Sequence, residues 1–278
     1  MDGEILSTEA VDRETEIAAG SDRPRTFKLT VSYDGTDFSG WQIQPGRPTI
    51  QGMLERALVK LAKHRVHVVG SGRTDSGVHA LGQVASFRIP VWRSPAESLV
   101  RALNVHLPET ITALECVDAP DDFHAIRDSI GKRYRYQLQL GGVRDSFQHR
   151  YRWHLRKPLD ISAMQAAAKL IVGQQDFASF QAAAGIRKTT VRHVRDCHVE
   201  LSNPASADVH QLLTIDVEAD GFLYNMVRNI VGTLVEVGRG KYPPEWVAEV
   251  IAVRDRDQAG PTAPALGLFL SRVDYESF

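Results

Sequence analysis

The loop Gly70-Ser-Gly-Arg-Thr-Asp-Ser-Gly-Val-His-Ala80 carries the densest group of residues that could do chemistry. Its glycines allow a tight, exposed backbone between two strands, so Arg73 and Asp75 are expected at the rim of a sheet. A carboxylate in such a place can act as a nucleophile or as a general base. The structural alternative is that Asp75 caps its own turn, with Arg73 as its surface partner. A zinc site at Asp75 and His79 is a weaker hypothesis, because third and fourth ligands are missing nearby.

A second group of candidate residues is basic and aromatic, between His124 and Lys157. Nine basic residues stand there against two acidic ones, and five aromatic residues are interleaved with them. Basic side chains neutralise phosphates and aromatic faces stack on unpaired bases, so this composition suits a polyanion, RNA above all. The alternative is a solvated strand face. The basic residues are Arg127, Lys132, Arg133, Arg135, Arg144, Arg150, Arg152, Arg156 and Lys157, and the aromatic ones are Tyr134, Tyr136, Phe147, Tyr151 and Trp153.

The periodicity of apolar residues predicts the elements that must position these groups. Thr49 and Asp160 are expected to cap helices, and Tyr134, Tyr136, Leu138 and Leu140 share one face of a strand. The order β-α-β-β-α-β occurs twice, which predicts an α/β (α+β) protein of two tandem ferredoxin-like halves whose sheets flank an RNA-binding catalytic cleft. Strands are predicted at 27–33, 66–69, 84–89, 111–117, 133–140, 193–201, 211–219 and 267–273, and helices at 49–61, 94–105, 160–173, 223–237 and 243–253.

Composition describes a folded protein with a charged leader. The 278 residues are 43% hydrophobic, enough to bury a core, and no window approaches 18 consecutive apolar residues. Residues 1–24 carry seven acidic and two basic side chains and are predicted to be a disordered leader; residues 25–278 have a net charge of +4. The halves are predicted at 25–120 and 121–278. The leader lacks the apolar region of a secretory signal, and Cys116 and Cys197 lack metal-ligand spacing, so a cytoplasmic protein is expected.

The loop Gly72-Arg-Thr-Asp-Ser-Gly-Val-His79 resembles the signature of the tRNA pseudouridine synthase A (TruA) family. The resemblance covers about residues 27–275 and extends over seven further blocks in the family's order. These blocks are Tyr33-Asp-Gly-Thr-Asp-Phe-Ser-Gly-Trp-Gln-Ile-Gln44, Thr49-Ile-Gln51, Asp122-Phe-His-Ala125, Lys132-Arg-Tyr-Arg-Tyr136, Asp176-Phe-Ala-Ser-Phe180, Met226-Val-Arg-Asn-Ile-Val-Gly232 and Gly267-Leu-Phe-Leu270.

The resemblance implies isomerisation of uridine to pseudouridine at positions 38, 39 and 40 in the anticodon stem-loop of tRNA, without a cofactor or a metal. Asp75 matches the family's catalytic aspartate. An ionised carboxylate there can attack C1′ of the ribose or help remove the 2′ proton, and the sequence does not choose between these routes. Because the pocket is expected to be largely closed, a cation should lie beside Asp75 to keep it ionised.

The resemblance also implies roles for four residues that bind the substrate. Arg228 matches the arginine that pairs with the aspartate; the alternative is an arginine that snorkels to the surface from an apolar helix. Tyr134 matches the tyrosine that stacks on the target uracil, although periodicity alone favours a core position, to which Tyr136 is assigned. Arg73 matches an arginine thought to enter the RNA stem and help displace the nucleotide. Leu268 matches an apolar residue of the pocket, and its alternative is plain strand core.

One departure from the family and one alternative function remain. The family commonly continues Phe-His-Ala with Arg and an aromatic residue, where this chain has Ile126 and Arg127, so Arg127 is expected to face differently on an extended segment. The family's homodimer, with tRNA held across both subunits, is expected here by resemblance. The alternative function is a non-catalytic RNA-binding or RNA-chaperone module. A carboxylate glycosidase is a third possibility, disfavoured because the loop offers one acid where such enzymes use two.

Overall fold

The computed structural model describes residues 23–182, 189–202 and 211–278 of the chain. All but the last two residues of the predicted acidic leader lie outside these ranges, and so does the Asn-Pro turn predicted after residue 202. Within them, no helix is both long enough and apolar enough to cross a membrane.

The first half of the chain forms four strands and two helices from residue 23 onward. Alternate residues of the first strand are buried, as its period-two pattern predicts. The first helix begins after Thr49, whose Oγ1 accepts a hydrogen bond from the backbone N–H of Gly52 at 3.3 Å, so the predicted cap is confirmed. The elements are β1 (Arg25–Tyr33), α1 (Ile50–Ala62), β2 (Val69–Gly70), β3 (His79–Ile89), α2 (Ser98–His106) and β4 (Ile111–Ala119).

The second half forms six strands and three helices in the described ranges. Tyr134, Tyr136, Leu138 and Leu140 are all buried on one face of their strand, which confirms the predicted alternation. Asp160 caps its helix as predicted, with Oδ1 2.9 Å from the backbone nitrogen of Ala163. The elements are β5 (Ser129–Leu140), β6 (Trp153–Leu155), α3 (Ile161–Lys169), β7 (Gly173–Asp176), β8 (Val191–Ser202), β9 (Gln211–Ala219), α4 (Met226–Gly238), α5 (Trp246–Val253) and β10 (Leu268–Tyr275).

All strands of the described residues form one ten-stranded sheet, in the order β4-β1-β3-β10-β5-β9-β8-β7, with β2 paired to β3 and β6 to β5. The mixed α/β class is therefore confirmed. The expectation of two separate sheets is corrected, because β10 pairs with both halves: it is parallel to β3 at His79 and Ala80 and antiparallel to β5 over most of its length. The division of the chain at residues 120 and 121 stays a prediction.

The end of β2 at Gly70 leaves the beginning of β3 open to β10. A strand was predicted at 66–69, but ladder pairing is limited to Val69 and Gly70. Side chains of α1 take the place of a neighbouring strand at Val68: Gln51 donates to its carbonyl at 3.0 Å, and Glu55 accepts from its N–H at 3.1 Å. β2 ends at Gly70, opposite Ala85, so the beginning of β3 has no β2 partner, and β10 pairs there at His79 and Ala80.

Candidate active site

The loop that carries Asp75 runs from Ser71 to Val78, between β2 and β3. Hydrogen bonds from the end of β1 and the loop after it hold this loop in place. The backbone N–H of Trp41 donates to the carbonyl of Thr74 at 3.0 Å. Thr74 also shares a hydrogen bond with the buried hydroxyl of Tyr33 at 2.8 Å. Gly40 lies so close that a Cβ there would be 2.6 Å from the Thr74 carbonyl oxygen, and its φ of +84° also favours glycine.

Two side chains, one on β3 and one on β5, hold the start of this loop. Gln83, fully buried on β3, accepts from the hydroxyl of Ser71 at 2.6 Å and donates to the carbonyl of Gly72 at 2.9 Å. Lys132, on β5, donates to the carbonyl of Ser71 at 2.8 Å. The loop is therefore positioned by both halves of the chain, and its backbone has little freedom to move Asp75.

The carboxylate of Asp75 faces Arg228. The two atoms Oδ2 and Nη1 are 3.6 Å apart, an ion pair slightly longer than a hydrogen bond, and the Asp75 side chain is 31% exposed. Burial raises the pKa of Asp75 above its ordinary value, and the Arg228 guanidinium opposes that rise. The turn is closed by its own backbone, from Val78 N–H to the Asp75 carbonyl at 3.1 Å, so the carboxylate is not needed as a cap.

Arg228 is held in place on α4, where all the remaining residues are buried. Its Nε donates to the carbonyl of Ala263 at 2.7 Å, and its Nη1 donates to Oδ1 of Asn225 at 2.9 Å. Asn225 precedes the helix with a φ of +59°, a left-handed conformation that asparagine tolerates better than most residues. The guanidinium thus points along a fixed direction at Asp75, and the surface-snorkelling alternative does not describe it.

The segment 260–267 packs between α4 and the Asp75 loop. Gly232, on the helix, has no room for a side chain, because a Cβ there would be 1.7 Å from the carbonyl oxygen of Pro261. A Cβ at Gly260, on the segment, would likewise be 2.6 Å from the backbone of Thr233. The segment and the helix are therefore in direct backbone contact. A Cβ at Gly77 would be 3.4 Å from that of Ala265. Helix, segment and loop therefore form one packed unit around the ion pair.

Tyr134 lies beside this unit on β5. It is cross-strand from Leu270 of β10, which is in turn opposite Ala80 at the start of β3. Its ring is 9% exposed and meets that of Phe222 edge-on, with centroids 5.0 Å apart. In the described ranges its hydroxyl makes no hydrogen bond, and burial, with the nearby Tyr33 and Asp75, raises its pKa. Tyr134 thus has a ring that packs against its neighbours and a hydroxyl that makes no hydrogen bond in the described ranges.

Two other predicted site residues lie in different surroundings. Arg73 is exposed, and no ion pair with an acidic residue is found for it within the part of the chain that the structure describes. It is therefore not the surface partner of Asp75. Leu268 is 6% exposed and cross-strand from Tyr136, whose hydroxyl donates to the carbonyl of Pro264 at 2.8 Å. Tyr136 is a core residue as predicted, and Leu268 packs next to it.

The departure from the family pattern at Ile126 and Arg127 has a local explanation. An extended segment was expected here, and the structure has a turn instead. The backbone N–H of Asp128 closes this turn by donating to the carbonyl of His124 at 3.1 Å. Arg127 donates to Asp128 at 2.7 Å and to the carbonyl of Asp122. Its guanidinium is therefore engaged with its own turn.

Sequence reasoning missed two groups that act on Arg228: the side chain of Asn225 and the backbone of Ala263. Asn225 stands just before the block that begins at Met226, and an asparagine ahead of an apolar helix was the available signal. Ala263 contributes a carbonyl, which no residue type reveals.

Comparisons with known proteins show the family to which the chain belongs. The family model described as tRNA pseudouridine synthase matches residues 29–126 and 167–276, more than half of the chain. A protein from Moorella thermoacetica named tRNA pseudouridine synthase A is 47% identical over 255 residues, which are 90% of this chain and 99% of that protein. Proteins of the same name from Pelobacter propionicus and Myxococcus xanthus are each 44% identical, over 90% of this chain and 100% and 91% of their own lengths. The chain belongs to the tRNA pseudouridine synthase A family and is an isomerase that acts on uridines of tRNA.

Proposed function

We propose that this synthase converts uridines 38, 39 and 40 of the anticodon stem-loop of tRNA to pseudouridine, with Asp75 as its catalytic carboxylate. The observation that carries the proposal is the ion pair of Asp75 with Arg228, 3.6 Å apart. A half-buried carboxylate opposite a fixed guanidinium is arranged for a reaction that needs an ionised acid in a mostly closed pocket.

The reaction rearranges the nucleoside without an external reactant. The N1–C1′ bond breaks, the base turns, and a C5–C1′ bond forms; C5 then loses its proton and N1 gains one. Asp75 either attacks C1′ and is later displaced, or removes the 2′ proton and so gives a glycal-like intermediate. Both routes start from the ionised carboxylate, which the positive charge of Arg228 favours and which burial opposes.

The remaining residues bind the nucleotide in this proposal. Tyr134 stacks on the target uracil, which its location beside the Asp75 loop supports. Arg73, exposed on the same loop, enters the RNA stem and replaces part of the stacking lost when the nucleotide leaves it. Leu268 supports the apolar wall next to Tyr136. Arg228 keeps Asp75 ionised and oriented.

The wider setting is also part of the proposal. The chain works as a homodimer, because one subunit spans less than a tRNA and a second basic surface adds phosphate contacts. It acts in the cytoplasm, and its two cysteines, both buried and unpaired, suit a reducing compartment. The alternative of a binding module without turnover has no use for a carboxylate that faces phosphates.

The experiment is release of tritium from tRNA transcripts labelled at uridine C5, because loss of that label accompanies the new C–C bond. Transcripts that keep a uridine only at 38, 39 or 40 locate the site of reaction, and a transcript with none of the three is the control. We expect release from the first three and none from the control. Release from the control at the same rate contradicts the assignment to the anticodon stem-loop.

A further inference from the structure

The connection between β5 and β6, residues 141–152, is a built loop that we name the arm. The buried side chain of Gln139 holds it from below, donating to the carbonyl of Val143 at 2.8 Å and accepting from the backbone N–H of Asp145 at 3.0 Å. Asp145 in turn accepts from the backbone N–H groups of Phe147 at 2.8 Å and of Gln148 at 3.2 Å. The arm therefore presents its outer side chains from a defined backbone.

The arm is tied to the scaffold of the Asp75 loop. Nδ1 of His79 lies 3.1 Å from the backbone N–H of Gly35, which assigns the proton to Nε2, and Nε2 lies 3.1 Å from the carbonyl of Arg150. The hydroxyl of Tyr151 donates to Asp34 at 2.9 Å, next to His79 in the same network. The base of the arm is thus fixed to residues that border the end of the Asp75 loop.

The outer surface of the arm combines apolar and positive groups. The side chains of Phe147 and Val143 are 87% and 80% exposed, the largest exposures among the large hydrophobic residues described. Arg144 is exposed on the same arm, and within the described ranges it has no ion-pair partner. Arg156 follows Leu155, whose carbonyl accepts from Gly141 at the base of the arm, and it is exposed as well. The one acid of the arm, Asp145, is used by the backbone.

We propose that the arm is an RNA-binding element in which the ring of Phe147 stacks on an unpaired base of the bound tRNA, while Arg144 meets the adjacent phosphate. An exposed aromatic ring on a loop that also carries an exposed arginine fits a base and its phosphate better than it fits a second copy of this chain, since two arms that meet bring like charges together. The proposal rests on the proposed function for the identity of its ligand, a tRNA.

The test uses the full-length enzyme and unmodified tRNA, and compares wild type with Phe147→Ala, Phe147→Leu and Phe147→Trp. Leucine keeps an apolar side chain without an aromatic face, and tryptophan keeps the face. Val105→Ala is the matched control, because Val105 is 78% exposed at the end of α2. The measurements are the dissociation constant for tRNA, the release of C5 tritium at saturating tRNA, and the oligomeric state by sedimentation.

We expect the alanine and leucine variants to weaken tRNA binding about tenfold, the size of one stacked base, with tryptophan close to wild type. Release at saturating tRNA, the oligomeric state and Val105→Ala binding should stay unchanged. Unchanged binding in Phe147→Ala, or full binding in Phe147→Leu, overturns the stacking role, and a change of oligomeric state identifies a second copy as the occupant instead. If wild type releases no tritium but Phe147→Ala still weakens binding, the proposed function fails and the arm's role stands.

Discussion

The carboxylate of Asp75 lies 3.6 Å from the guanidinium of Arg228, although one residue belongs to a loop of the first half and the other to a helix of the second. The sheet makes this possible, because β10 joins β3 to β5 and brings the segment 260–267 between loop and helix. The ion pair is thus a property of the joined sheet. It forms only when both halves are folded against each other.

Burial of Asp75 has a consequence for stability. Its pKa is raised in the folded protein, so between the ordinary carboxyl pKa and the raised one the folded state binds more protons than the unfolded state. The stability associated with this group is therefore present at low pH and is lost as pH rises through the raised pKa. We expect Asp75→Asn to raise Tm relative to wild type near pH 7.5, with the difference shrinking towards pH 3.5. Thermal unfolding across that range measures it, and a lower Tm for the variant at pH 7.5 contradicts the sign.

Removal of the Arg228 charge should move the pH dependence of catalysis. Activity needs ionised Asp75 and falls as pH drops through its pKa, which Arg228 lowers. Arg228→Gln should therefore shift the acid limb of kcat to higher pH and reduce the rate near neutrality, whereas Arg228→Lys should shift it less. Arg239→Gln, at the far end of the same helix and 43% exposed, is the matched control. If wild type and Arg228→Gln have identical acid limbs, Arg228 does not influence the ionisation of Asp75.

Asn225 should act through Arg228. Asn225→Gly keeps the backbone at a φ of +59° and removes only the amide that accepts from Arg228, so we expect Tm close to wild type, kcat lowered about tenfold, and an acid limb shifted upward. Asn225→Ala should show the same kinetic loss and also a lower Tm, since an alanine in the left-handed region costs about 1 kcal/mol or more. Wild-type kinetics in Asn225→Gly limits the role of Asn225 to its backbone.

The two tyrosines of β5 should respond differently to loss of their hydroxyl groups. Tyr136 donates to the carbonyl of Pro264, and Tyr136→Phe leaves that buried group unpaired, so we expect a loss of about 1 kcal/mol, or ~2–4 °C in Tm. Tyr134→Phe should leave Tm unchanged and keep most activity, because stacking needs only the ring. Scanning calorimetry and single-turnover rates measure both effects. Complete inactivity of folded Tyr134→Phe assigns a chemical role to its hydroxyl.

The sequence predicts local elements well and their assembly less well. The caps Thr49 and Asp160 and the buried face of β5 follow from periodicity and from hydrogen-bonding capacity within a few residues, and the structure has all of them. The single sheet does not follow, because it depends on β10 pairing with both β3 and β5, which are far apart from it in the sequence. An apolar pattern does not reveal which distant strands pair.

The candidate site divides in the same way. The loop with Asp75 is recognisable because glycines and charged residues are concentrated in one short segment. Its partner is recognisable only from resemblance, since no spacing rule connects Asp75 with Arg228 across the chain. Tyr134 and Tyr136 are both buried on one strand face, so the apolar pattern does not distinguish them, whereas the hydrogen bond of Tyr136 does. Ala263 acts through its backbone carbonyl, so its residue type does not predict its contact with Arg228.

The most direct test of the central claim compares wild type with Asp75→Asn in the release of tritium from tRNA labelled at uridine C5. Asp118→Asn, on the edge strand β4 and 57% exposed, controls for loss of a carboxylate elsewhere. The account predicts release by wild type and Asp118→Asn, and release about 10³-fold slower or absent in Asp75→Asn, with tRNA binding retained. Release by Asp75→Asn at the wild-type rate contradicts the claim that Asp75 is the catalytic carboxylate.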